Sequence, residues 1–86
     1  MPTNKKVSIY TTPSCIYCRQ TKEFFKANQV NYEEHDVLTD LTRRQEMVDK
    51  SGQLGVPVIA VSAADGSNEE VVIGYNRARL AELLGV

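Results

Sequence analysis

The chain contains two cysteines, and they lie three positions apart where a strand-like segment gives way to a helix-like one. Residues 7–10 alternate apolar and polar side chains, which is typical of a half-buried strand. Thr-Thr-Pro-Ser at residues 11–14 interrupts this pattern, and residues 16–26 favour a helix. Cys15 is therefore expected at the mouth of a strand-to-helix turn, with Cys18 about one helical turn further along. The chain is expected to begin with a strand and a helix that present two thiols at their junction.

The next two elements continue this alternation. A second strand is predicted at residues 31–37. A second helix is predicted to begin near Thr39 or Asp40, since either side chain can cap it, and to end before Gly52. Its predicted apolar face is thin and consists of Leu41, Met47 and Val48.

The last third of the chain predicts a hairpin followed by a helix. Residues 58–61 are continuously apolar, and the turn-forming residues 64–68 should bring residues 71–73 back as an antiparallel partner. Gly74 ends that strand, and Asn76 can cap a final helix. The apolar face of this helix consists of Leu80, Leu83 and Leu84. The resulting order is β-α-β-α-β-β-α, and its opening βαβ unit implies two parallel strands joined by a right-handed crossover.

Length and composition bound the classes of protein to which the chain can belong. Its 86 residues predict a single domain, 1–86, with one core. A net charge of −1 argues against a nucleic-acid partner. No apolar run approaches the roughly 20 residues that span a bilayer, and the residues before the first strand lack the apolar core of a signal peptide. Since two cysteines are too few for a disulfide-rich secreted framework, we expect a cytoplasmic location. We also expect a monomer without a membrane partner.

The spacing of the cysteines favours thiol–disulfide exchange. The start of a helix favours a negative charge, and two sulfurs on its first turn can close into a disulfide and reopen. Cys15 is the expected nucleophile, because its sulfur should lie outside the helix while that of Cys18 faces inward. Two alternatives stay open. A structural zinc site would need four ligands, and His35 is the single histidine available. The cysteines could also form a structural disulfide or remain as two inert buried thiols.

Other residues near the thiols have both a functional and an ordinary interpretation. Arg19, Lys22 and Lys26 form a basic stripe on the first helix. The functional interpretation of this stripe is that it stabilises a thiolate and attracts anionic partners. Arg19, in the first turn, is the expected contributor, whereas an ordinary solvated face is favoured for Lys22 and Lys26. Tyr17 is interpreted either as a lid over the sulfurs or as filler. His35 is expected to be structural rather than a catalytic base.

Several motifs in a fixed order point to one family. The chain has a strand, then Thr-x-x-x-Cys-x-Tyr-Cys from Thr11, a helix, Val-Pro at residues 56–57 before an apolar strand, and Gly74 near the last helix. From residue 7 to residue 84 this pattern resembles the glutaredoxins. By itself, a proline at the start of a strand has the simpler explanation that its missing N–H is not needed there. The resemblance instead implies that Pro57 is a cis-proline beside the active site.

The resemblance also implies a fold and a set of site residues. The fold is the α/β thioredoxin fold, with a four-stranded mixed sheet in the order 2-1-3-4, the first and third helices on one face and the second on the other. In it, Cys15 is the nucleophile, Cys18 is the resolving thiol, and the backbone of Val56 pairs with the bound substrate. The residues expected to bind substrate surround these thiols: Thr12, Tyr17, Arg19, Val56, Pro57 and Gly74.

The chain departs from glutathione-using glutaredoxins at the positions that hold glutathione. Thr12 stands where a lysine usually holds a carboxylate of glutathione. Tyr75 replaces the second glycine of a Gly-Gly pair, and Arg77 has the wrong charge for the ammonium end. Ile16 replaces the frequent proline of the motif. These features are similar to those of short bacterial glutaredoxin-like proteins and of redoxins that donate electrons to ribonucleotide reductase, although the latter typically carry a tryptophan that this chain lacks.

The expected function is therefore that of a glutaredoxin-like thiol–disulfide oxidoreductase that reduces protein disulfides in cell redox homeostasis, with glutathione mixed disulfides as a further candidate substrate. No tightly bound cofactor and no metal are expected, and the electron source is either glutathione or thioredoxin reductase. Two alternative functions stay open. One is a glutaredoxin that bridges a [2Fe–2S] cluster between two monomers, and the other is a redoxin that donates electrons to ribonucleotide reductase.

Overall fold

The computed structural model describes residues 5–86 and contains a four-stranded sheet with three helices. The elements follow in the order β1 (Lys6–Thr11), α1 (Ile16–Ala27), β2 (Glu33–Asp36), α2 (Leu41–Ser51), β3 (Val58–Ser62), β4 (Glu70–Ile73) and α3 (Arg77–Leu84). The strand order is β2-β1-β3-β4. β1 pairs with β2 in parallel, while β3 is antiparallel to both β1 and β4. The predicted fold class, element order and sheet order are confirmed.

The two faces of the sheet carry separate apolar clusters because side chains alternate along each strand. On β1, Ile9 belongs to the cluster under α1 and α3, whereas Tyr10 belongs to the cluster under α2. The larger cluster holds Val7, Ile9, Phe24, Phe25, Val30, Ile59, Val61, Val72, Leu80 and Leu84. The smaller one holds Tyr10, Val37, Met47 and Val58. The first and third helices thus share one face, and the second covers the other.

The helix boundaries follow the capping residues that the sequence contains. Of the two candidates for the cap of α2, Asp40 is the one used, because its carboxylate accepts a hydrogen bond from Arg43 N at 3.1 Å. Gly52 ends this helix with φ of 73°, a left-handed conformation that glycine adopts without steric cost. Asn76 caps α3 by accepting from Arg79 N at 3.0 Å. Local sequence chemistry therefore sets both ends of α2 and the start of α3.

Two details differ from the sequence-based expectation. β2 is shorter than residues 31–37, because its register with β1 starts at the pair Ser8 and Glu33 and ends at Asp36. Leu41 does not belong to the apolar face of α2, since it is 68% exposed while Met47 is fully buried. Six positions of an α-helix rotate a side chain by about 240°, so Leu41 faces away from the sheet when Met47 faces it.

None of the helices within residues 5–86 has the length and apolar character needed to cross a bilayer.

Candidate active site

Cys15 is the N-cap of α1 and replaces the hydroxyl or carboxylate that usually caps a helix. Its Sγ accepts a hydrogen bond from Cys18 N at 3.1 Å. Its own N–H donates to Thr12 O at 3.3 Å, and its carbonyl accepts from Arg19 N at 3.2 Å. These bonds place a half-buried sulfur where unpaired amides and the helix dipole favour negative charge. The predicted strand-to-helix position of Cys15 is confirmed.

Cys18 lies one turn further on and faces the interior, with 1% of its surface exposed. The pKa of the Cys18 thiol is raised to about 12. Burial is the main cause, and a hydrogen bond with Cys15 is the second. Both cysteines are present as free thiols. The pair is therefore asymmetric, with one sulfur accessible and the other buried and held protonated.

A small depression of about 110 Å³ lies beside the thiols. It is lined by Thr11, Thr12, Pro13, Cys15, Cys18, Arg19, Lys22, Glu34 and Asp36. Four of the site residues predicted from the sequence, Thr12, Cys15, Cys18 and Arg19, are thus brought together by the β1–α1 junction.

The other four predicted site residues lie outside this lining. Tyr17 is 62% exposed, on the surface of the first turn of α1. Val56 is half-buried and Pro57 is buried, and the peptide bond between them is cis, as the resemblance implies. Gly74 donates its N–H to Pro57 O at 2.8 Å, with a φ of 77° that suits glycine. Gly74 and Pro57 therefore contact each other through their backbones.

Sequence reasoning missed Thr11 and Glu34, and it favoured an ordinary solvated face for Lys22, which joins them in a polar cluster lining the depression. Lys22 Nζ lies 2.8 Å from Glu34 Oε2, and Thr11 Oγ1 donates to the same oxygen at 2.9 Å. The hydrogen bond from Lys22, followed by that from Thr11, lowers the pKa of Glu34, and the bond to Glu34 raises the pKa of Lys22. The spacing of four between Cys18 and Lys22 was available as a signal. Nothing in the sequence pointed to Glu34, which reaches Lys22 only through the pairing of β1 with β2.

His35 lies away from the thiols, on the α2 side of the sheet. Its ring packs against Tyr10 at 5.3 Å between centroids, and its Nε2 lies 3.9 Å from Glu33 Oε2. His35 does not form a metal site with the two cysteines, and no carboxylate in the part of the chain that the structure describes does so. Within residues 5–86, no group of three or more His, Cys, Asp or Glu side chains is placed to hold a metal ion. The placement of His35 agrees with a structural role.

The asymmetry of the thiols predicts a selective alkylation pattern. Iodoacetamide should modify Cys15 of the reduced protein first, because Cys18 is buried and its pKa is about 12. At neutral pH the thiolate fraction of such a group falls about a thousandfold below that of a free cysteine. Peptide mapping by mass spectrometry after timed quenching measures the two rates. The same reaction in denaturant should label both cysteines equally, and equal labelling of the folded protein would contradict the assignment.

Comparison with protein families places this geometry among known proteins. The glutaredoxin family profile matches residues 7–63, which is more than half of the chain. A glutaredoxin-like 8.6 kDa protein in the rubredoxin operon of Clostridium pasteurianum is 36% identical, over 91% of this chain and 96% of that protein. Glutaredoxin 3 of Escherichia coli is 33% identical, over 66% of this chain and 69% of its own length.

Solved structures agree with these sequence matches. The thioredoxin-like protein BC3987 superimposes with a TM-score of 0.79 at 37% identity, covering 92% of this chain and all of that one. A glutaredoxin from Archaeoglobus fulgidus superimposes with a TM-score of 0.75 at 28% identity, covering 91% of this chain and 84% of that one. The family matches and the thioredoxin-like architecture indicate thiol–disulfide oxidoreductase chemistry in general.

Proposed function

The chain belongs to the glutaredoxin family, and we propose that within this family it is a dithiol oxidoreductase that reduces protein disulfides through Cys15 and Cys18. The observation that carries this proposal is the asymmetry of the pair. Cys15 is accessible at the start of α1. Cys18 is buried one turn further on, and its backbone N–H donates a hydrogen bond to Cys15 Sγ. An accessible thiol can meet the disulfide of a large substrate, and a buried neighbour can attack only the mixed disulfide that results.

The proposed reaction consists of two exchanges. The Cys15 thiolate attacks one sulfur of the substrate disulfide, forms a mixed disulfide, and releases the other sulfur, which takes up a proton. Cys18 then loses its proton and attacks Cys15 Sγ. This step forms the Cys15–Cys18 disulfide and releases the second substrate sulfur as a thiol. The substrate gains two electrons and the protein loses two, so each turnover requires a reductant to reopen the Cys15–Cys18 bond.

The six other predicted site residues belong to the proposed substrate surface. Thr12 and Arg19 line the depression beside Cys15, and Tyr17 is exposed within the same first turn of α1. Val56 precedes the cis-proline and Gly74 bonds to Pro57 O, so both belong to the backbone around Pro57. We propose that Val56 pairs with an extended segment of the substrate through its backbone. The monomeric state and cytoplasmic location expected from the sequence are part of this proposal.

Glutathione is proposed to be a poor substrate. Thr12 offers no positive charge, and Arg77 brings a cation to the first position of α3. Tyr75 packs edge-on against Phe24, with 6.4 Å between ring centroids, and lines a groove together with Arg77. The usual partners for both charged ends of glutathione are therefore missing, whereas dithiol exchange with a protein disulfide needs neither of them.

An insulin assay tests the activity, and a donor assay identifies the reductant. The reduced protein should accelerate the dithiothreitol-driven precipitation of insulin chains, and protein alkylated beforehand should not. The oxidised protein is then offered NADPH with either thioredoxin reductase or glutathione and its reductase. Recovery of two titratable thiols with either donor identifies the electron source. If the reduced protein does not accelerate insulin reduction above dithiothreitol alone, the proposed activity is wrong.

A further inference from the structure

Helix α1 places one cation a helical turn after each thiol. Arg19 follows Cys15 by four positions, and Lys22 follows Cys18 by four. Residues separated by four lie on the same face of a helix, one turn apart. Both cations line the depression that contains the two sulfurs. The nucleophile and the buried thiol thus each have a positive charge of their own.

Lys22 is held in place more firmly than an ordinary surface lysine. Its ammonium lies 2.8 Å from Glu34 on β2, and Glu34 also accepts a hydrogen bond from Thr11 at 2.9 Å. Thr11 is buried on β1, a central strand of the sheet. The side chains of Lys22 and Glu34 are only 28% and 39% exposed. This chain of contacts anchors the lysine to the sheet on the side of the helix that carries Cys18.

The charge of Lys22 reaches the buried sulfur. Burial has the largest effect and raises the pKa of Cys18, whereas a backbone hydrogen bond at Thr12 and, after it, the positive charge of Lys22 act to lower it. Cys18 in turn contributes to the raised pKa of Lys22. Lys26, one turn further along α1, does not line the depression. The basic stripe of α1 therefore contains one lysine that is positioned next to the resolving thiol and one that is not.

We propose that Lys22, positioned by Glu34, stabilises the Cys18 thiolate as it forms and thereby sets the rate of the resolving step. This inference rests on the proposed dithiol function and names the residues that control its second exchange. In that exchange the Cys18 thiol gives its proton to solvent, its sulfur bonds to Cys15 Sγ, and the bond between Cys15 and the substrate sulfur breaks. The released substrate thiolate then takes up a proton.

The mixed disulfide is the state in which Lys22 matters most. In the reduced protein, the hydrogen bond and the negative charge of Cys15 both oppose ionisation of Cys18. Once Cys15 is in a disulfide, that negative charge is gone, and burial is the main remaining obstacle. The charged groups lining the depression are Arg19 and Lys22 on α1, with Glu34 and Asp36 on β2. Of these, Lys22 is the cation one turn below Cys18, and Glu34 partly neutralises it.

A single-turnover reaction with dithiodipyridine, an uncharged disulfide, separates the two exchanges. Attack by Cys15 releases one thiopyridone, and attack by Cys18 on the mixed disulfide releases a second, so absorbance should rise in two phases. Lys22→Gln should shift the pH profile of the second phase upward by about half to one unit, because one nearby charge typically moves a pKa by about that much or more. At a fixed pH below the midpoint of that pH profile, the second phase of Lys22→Gln should be about three- to tenfold slower than that of the unsubstituted protein, while the first phase keeps its rate.

Substitution of Glu34 distinguishes an electrostatic effect of Lys22 on Cys18 from a merely structural role of the Lys22–Glu34 pair. Glu34→Gln keeps an oxygen for Lys22 and Thr11 but removes the negative charge, so the second phase should shift to lower pH. Lys22→Arg should restore most of the original profile. Lys26→Gln, a matched loss of charge on the same helix, should change neither phase.

Two outcomes would overturn the inference. One is that Lys22→Gln and Lys26→Gln give the same second phase, and the other is that Lys22→Gln and Glu34→Gln shift it in the same direction. Failure of the proposed function itself looks different, because the unsubstituted protein would then release fewer than two thiopyridones whatever residue stands at position 22. The two hypotheses therefore fail separately.

Discussion

Cys18→Ser should stop the reaction after the first exchange and trap the protein as a covalent adduct with its substrate. Cys15 keeps its accessible position at the start of α1, so it can still attack a protein disulfide. Serine at position 18 has no sulfur, so no group of the protein can then release the substrate from Cys15. Insulin reduction should fall towards the dithiothreitol background, and in a parallel reaction of the reduced variant without dithiothreitol the adduct should appear on a non-reducing gel and in the intact mass.

Cys15→Ser is the matched control for this experiment. It leaves the buried thiol in place, and a sulfur with only 1% exposure should form no adduct and reduce no insulin. Circular dichroism and thermal unfolding of both variants check that the fold is intact. The role assignment is wrong if Cys15→Ser still forms a mixed disulfide with insulin, or if Cys18→Ser turns over protein disulfides at the rate of the unsubstituted protein.

Much of the fold could be predicted because its signals are local. The strand at residues 7–10, the caps Asp40 and Asn76, and Gly52 each act within one element, and the structure contains all of them, although Tyr10 on β1 is buried rather than solvated because α2 covers that face. The length of β2 and the exposure of Leu41 could not be predicted in the same way. They depend on the register between strands and on the side of α2 that packs against the sheet, and both are set by tertiary contacts.

The same distinction applies to the site. The positions of Cys15 and Cys18 follow from a strand-to-helix junction that the sequence shows directly. The cis bond before Pro57 came from the family resemblance, since local propensity favours cis in only about 5–6% of such bonds. Spacing on the helix places Lys22 one turn after Cys18, but it does not reveal that Lys22 is hydrogen-bonded to Glu34. That carboxylate lies beyond the helix on β2, beside a buried threonine of β1.

We propose that glutathione recognition, unlike dithiol chemistry, depends on charges that this chain lacks at positions 12 and 77. Thr12 lines the depression beside Cys15, and Arg77 is the first residue of α3. In glutathione-using relatives, the resemblance implies a lysine near the first position and an acidic residue near the second. Aspartate at the start of α3 would also interact favourably with the helix dipole, where arginine does not. Arg77→Asp is therefore compatible with the start of α3.

The double substitution Thr12→Lys with Arg77→Asp should raise the glutathione-dependent rate by about a hundredfold. Each restored charge-assisted hydrogen bond contributes roughly 1.5–3 kcal/mol, and about 1.4 kcal/mol corresponds to a factor of ten. The assay follows NADPH oxidation with glutathione, its reductase and a mixed disulfide of glutathione. Thr12→Met with Arg77→Asn supplies similar bulk without the charges and should leave the glutathione-dependent rate low, and insulin reduction should change far less than that rate in all variants. If the glutathione-dependent rate of the unsubstituted protein already matches that of a glutathione-using glutaredoxin, the absence of a lysine at position 12 and of an acidic residue at position 77 does not limit glutathione binding. This interpretation is then wrong.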